Sequence, residues 1–97
     1  MEHLSAEQYR FYELVSAYPR IAALWDWEEK ALHLEAVKLE LDVMSSGERA
    51  LTRFFACLWY GHNQANLVPF DIVSEISSLD AGERTLIAEW VADPFWP

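Results

Sequence analysis

The residues with the types and spacing to do chemistry are few, and they cluster in the middle of the chain. Cys57 lies five positions before His62. A thiol beside an imidazole is the core of a nucleophilic site, because a neighbouring base favours the reactive thiolate. Cys57, however, stands in the most apolar stretch, residues 50–60, ALTRFFACLWY. A thiol among Phe54, Leu58 and their neighbours is held in its neutral form, so the pair is expected to be inert. His62-Asn63-Gln64 follows that stretch, where a histidine suits the terminal carbonyls of a helix. Glu29, His33 and Glu40 fall on one flank of a helical wheel and offer carboxylates and an imidazole to a metal ion. Di-iron helical sites use Glu-x-x-His on two helices with two further Glu. Here the spacing is Glu-x-x-x-His with no second copy, so a solvated polar flank is expected. The segment SSGER, residues 45–49, lacks the GxxxxGK[ST] pattern that cradles phosphates and reads as a helix cap. No catalytic, cofactor-binding or metal-ligating residues are assigned, and the chain is expected not to be an enzyme.

Composition bounds the partners. The 97 residues are 53% hydrophobic and 14% aromatic, with five Trp, which is ample material for the core of one domain spanning 1–97. Sixteen acidic against seven basic side chains give a formal charge of −9. That balance argues against direct binding of nucleic acid or anionic membrane and admits a basic protein partner. Between residues 71 and 93 the acids are Asp71, Glu75, Asp80, Glu83, Glu89 and Asp93, against Arg84 alone. A DNA-recognition helix needs the opposite sign. One cysteine makes no internal disulfide and suits a reducing compartment. The opening residues, MEHLSAEQYR, show no basic region or apolar run, so no signal peptide is expected. The apolar run at residues 54–60 is too short to span a bilayer. A cytoplasmic protein is expected.

The elements that must position these residues are helical. Ser5 with Gln8 forms a capping box, followed by a core stripe of Phe11, Leu14, Val15 and Tyr18. Pro19 stops that helix and can open the next. Between Pro19 and Val43 no Gly or Pro intervenes. Residues 19–43 form one long helix or two, with a break near Asp26, an N-cap with Glu29 three residues on. The later part carries two apolar stripes: Leu32, Ala36, Leu39 and Val43 on one side, Leu34, Val37, Leu41 and Met44 nearly opposite. The alternation of VKLELDV also fits a strand, but its helix formers and the lack of a strand partner favour helix. Ser45 to Glu48 starts a central helix, residues 48–60, that ends at Gly61. Pro69 then opens a helix with Ile72, Val73, Ile76 and Leu79 facing inward. Asp80 caps a last helix with Leu86, Ile87, Trp90 and Val91 inward, and Pro94 ends it. The sequence GERxL occurs at 47–51 and at 82–86, as one capping solution used twice.

The expected fold is all-α, a compact bundle of four to five short helices around the buried helix at 48–60, with a short aromatic tail at 94–97. The expected function is that of a small acidic, non-catalytic protein-interaction or regulatory domain. Its expected contacts with a protein partner are the Trp25/Trp27 pair, the second apolar stripe at Leu34 and Leu41, and the tail residues Phe95 and Trp96. A homodimer through that stripe is also expected to be accessible. The alternatives are a nucleic-acid mimic or antitoxin-like inhibitor of a basic protein, and a small enzyme or metal-binding protein using His62 or His33.

Overall fold

Ser5 and Gln8 cap the first helix reciprocally. The Ser5 hydroxyl accepts the Gln8 N–H and the Gln8 side chain accepts the Ser5 N–H, both at 3.0 Å. The computed structural model describes residues 3–62 and 69–97; the expectations for Asn63, Gln64 and the rest of that loop lie outside the described residues. Helix α1 spans Ala6–Ser16 and buries Phe11 and Val15, with Leu14 half-buried beside them. Pro19 occupies the first position of α2, Pro19–Ala22, where its missing N–H costs nothing.

The next segment departs from the expected helix. Residues Trp25–Asp26 (β1) and Ala31–Leu32 (β2) pair antiparallel, Trp25 opposite Leu32 and Asp26 opposite Ala31. Asp26 does accept the N–H of Glu29 at 3.0 Å, as a cap would, but the bond closes a turn. Lys30 then takes a φ of 53°, which no helix tolerates. The physical reason lies in the two tryptophans. On a helix, neighbours two apart point to nearly opposite sides; on extended chain they share a face. The hairpin lets Trp25 and Trp27 stack at 5.9 Å and 15° while both meet Phe11 and Trp59. This ring cluster outweighs the buried Trp25 indole N–H, which has no acceptor among the described residues.

Helix α3, Leu34–Leu41, follows, so the VKLELDV alternation did not produce a strand. Val37 and Met44 are buried, and Leu34, Ala36 and Leu41 pack against the core. Leu39 is 73% and Val43 65% exposed. Of the stripe opposite Leu34 and Leu41, only Leu39 and Val43 are therefore uncovered, while Leu32 and Ala36 pack against the core.

Helix α4, Ser46–Tyr60, carries seven of the buried residues, including Leu51, Phe54, Phe55 and Leu58. Ser45 and Glu48 form its capping box, and Gly61 closes it at φ 79°, a left-handed angle suited to glycine. It is not buried all round. Arg53, Cys57 and Tyr60 form a half-covered flank, and Arg53 pairs with Glu75 at 2.7 Å.

Helix α5 is a single turn, Ile72–Glu75, continued by a 3-10 turn at Ile76–Ser78. It begins at the Asp71 cap, not at Pro69, because the Asp71 carboxylate accepts the Val73 N–H at 3.1 Å. Only Leu79 of its expected inner stripe is buried; Ile72, Val73 and Ile76 are exposed. Helix α6, Ala81–Ala92, starts on an Asp80–Glu83 capping box and buries Ile87. Val91, expected inside, is exposed. The two GERxL segments meet in space. A Cβ on Gly47 would stand 2.8 Å from the Glu83 carboxylate and 3.0 Å from the Ser78 carbonyl. The molecule is mostly helical, with six α-helices and one two-stranded sheet among the described residues.

Candidate functional site

A cleft of about 360 Å³ opens between α4, α5, α6 and the C-terminal segment. Phe54, Cys57 and Leu58 line it from α4, Phe70 and Ile72 from the approach to and start of α5, and Ile87, Trp90 and Val91 from α6. Trp96 and the Gly61–His62 turn complete the lining. The lining is apolar apart from His62 and Cys57, and its volume falls in the range of small-ligand and side-chain pockets.

Aromatic edges set its shape. Phe54 meets Phe70 and Trp90 edge-on, each at 5.6 Å, and Trp90 meets Trp96 at 5.7 Å and 80°. Helical spacing explains the α6 contribution: Ile87, Trp90 and Val91 lie three and four apart on one face. The Gly61 turn admits the indole of Trp96, whose Cδ1 lies 4.0 Å from where a glycine-replacing Cβ would stand. Near the mouth, the Ser74 hydroxyl donates to Asp71 at 2.9 Å and holds that carboxyl below the usual carboxylate range. The Arg53–Glu75 pair ties α4 to the end of α5, and the Glu75 side chain is largely buried.

The residues singled out from the sequence are scattered by the fold. Trp25 is buried and Trp27 half-buried in the ring cluster with Phe11 and Trp59. Leu34 and Leu41 pack on the core from α3. Phe95 is only 8% exposed, beneath the Arg10 guanidinium, whereas Trp96 is 56% exposed at the cleft. His62 lies at the same cleft as Cys57. His33 approaches Asp26 at 3.9 Å while Glu40 pairs with Arg20 at 3.2 Å, so the expected polar flank is divided between different partners. Among the described residues, no group of three or more His, Cys, Asp or Glu is arranged to hold a metal ion.

Phe70, Ile72 and Val91 were missed as cleft residues. Ile72 and Val91 belonged to apolar stripes, but a stripe does not announce that part of it stays uncovered, and Phe70 stood in no stripe. Comparison with known protein families, curated proteins and solved structures found no match to this chain. No helix among the described residues is long and apolar enough to cross a membrane.

Proposed function

We propose that this chain is a non-catalytic protein-interaction domain whose cleft receives an apolar side chain from a basic segment of a partner protein. One observation carries this: exposed Ile72, Val91 and Trp96 converge on a single apolar cavity. Exposed apolar residues gathered around a pocket are what an anchoring side chain needs, whereas scattered ones are ordinary surface. Residues 71–93, which supply Ile72, Ile87, Trp90 and Val91 to the cleft wall, carry six acids against Arg84 alone. Among the described residues, only Glu75 and Asp93 of these acids pair with arginines, from α4 and α1. Charge complementarity therefore favours a partner segment with Lys or Arg flanking its anchor.

The test is affinity capture from nuclease-treated lysate at low and high salt, comparing the native chain with Val91→Asp and with His33→Ala, which lies away from the cleft. The expected result is a stoichiometric partner that is lost with Val91→Asp, weakened by salt and indifferent to His33→Ala. The same proteins captured by Val91→Asp would overturn the cleft assignment. If salt alone released them, contact would pass to the acidic surface, as in a nucleic-acid mimic.

A further inference from the structure

We propose that the C-terminal segment, residues 94–97, is a strap whose docking builds one wall of the cleft. Arg10, which does not line the cleft, controls that wall by holding the strap in place. This inference rests on the cleft being the binding site, and it adds how the site is set.

Prolines at 94 and 97 bracket Phe95 and Trp96. The segment therefore has no helical ladder to place it, and side-chain contacts do so instead. Arg10 reaches across from α1, 83 positions away in sequence, and its guanidinium meets the Asp93 carboxylate at 3.0 Å. The same guanidinium lies 4.2 Å from the centre of the Phe95 ring, a cation–π arrangement. Trp90 donates its indole N–H to the Phe95 carbonyl at 2.8 Å. With Phe95 pinned from both sides, the next residue is delivered to the cleft, where Trp96 stands edge-on to Trp90.

The strength of this clamp is modest, and that makes the strap responsive. Asp93 is 79% exposed, and an ion pair so open to water is weak and salt-screened. The Arg10–Phe95 contact is stronger because Phe95 is buried. A strap held this way exchanges between docked and released states, and any occupant that touches Trp96 draws it to the docked one. Arg10 is thus a positioning residue: it sets the fraction of molecules whose cleft is complete.

The test needs no partner. N-phenyl-1-naphthylamine, an uncharged apolar probe that brightens on leaving water, is titrated into the native chain and its variants, with thermal circular dichroism confirming that each is folded. The native chain should bind it saturably. Trp96→Ala should bind about tenfold and Arg10→Ala about fivefold more weakly, as expected for losing a wall or its clamp. Because Arg10 acts only through the strap, the double variant should bind no more weakly than Trp96→Ala alone. Arg10→Lys keeps a cation over Phe95 and should recover part of the loss. Should Arg10→Ala not fold, Asp93→Lys serves instead: it sets like charges face to face at an exposed position and should weaken the probe by about threefold. Native-like binding by Arg10→Ala or by Asp93→Lys overturns the inference. So do additive losses in the double variant, or no saturable binding by the native chain. A failed strap leaves the Val91→Asp capture test untouched, and an absent partner leaves this titration standing.

Discussion

Glu48 shows how a single side chain links the sequence to a measurable pH response. The Ser45 N–H and the Ser45 hydroxyl, helped by Arg20 at 3.8 Å, hold its carboxyl below the ordinary value of 4.5. A carboxyl lowered by folding stabilises the fold above its unfolded pKa, and that contribution is lost as pH falls through the folded value. Glu48→Gln keeps the reciprocal cap bond without the charge. Its urea midpoint should therefore change less than that of the native chain between about pH 5 and pH 3. Tyr18 responds at the other end of the scale. Burial first, then the nearby Glu83 and Asp80 charges, push its phenol above the ordinary 10.0. A phenol raised by folding stabilises fully below its unfolded pKa and ceases to do so as pH rises through the folded one. Tyr18→Phe should flatten the loss of stability in alkali, read by the same denaturation.

At the scale of elements, the two GERxL segments look alike and should respond oppositely to one substitution. Gly47→Ala places a Cβ against the Glu83 carboxylate and the Ser78 carbonyl, where the structure has no room. It should cost about 1–3 kcal/mol in urea denaturation. Gly82→Ala meets its nearest neighbour, Asp80 Oδ1, at an ordinary 3.5 Å. It should be neutral or stabilise by up to about 1 kcal/mol, the helix propensity gained. Helix α3 makes a similar contrast across its two faces. Leu34→Asp and Leu41→Asp should each cost about 2 kcal/mol or more, because both pack on the core. Leu39→Asp and Val43→Asp should stay within about 0.5 kcal/mol, since both side chains are already in water.

For the whole molecule, the dominant quantity is the charge of −9. Sixteen acids on so small a chain repel one another, and the ion pairs from Arg10, Arg20 and Arg53 offset this only locally. Raising salt from about 10 mM to about 200 mM should therefore raise the melting temperature, because screened repulsion outweighs the weakened surface pairs. The opposite trend would mean that the Arg pairs contribute more to stability than the net charge removes. Partner capture should run the other way, weakening with salt, so one titration separates folding electrostatics from binding electrostatics.

Local chemistry was legible in the sequence. The caps at Ser5, Ser45 and Asp80, the Pro19 start and the Gly61 stop each rest on bonds or backbone angles within a few residues, which a short window contains. The helical class and the burial of Phe11 and Val15 followed from periodicity, and the burial of Leu51 and Phe55 from the continuous apolar stretch at 50–60. Placement of the site was not legible, because it depends on which faces find a cover. Trp25 and Trp27 took a hairpin in place of a helix so that both could reach Phe11 and Trp59, a gain visible only once α1 and α4 are side by side. Leu41 packed while Leu39 did not, although the wheel treats their stripes alike. Phe95 turned inward and Trp96 outward because Arg10, from the far end of the chain, holds the first of them. Local bonds are written in neighbouring residues; coverage of an apolar face is decided by contacts between segments distant in sequence, and only the tertiary structure contains those.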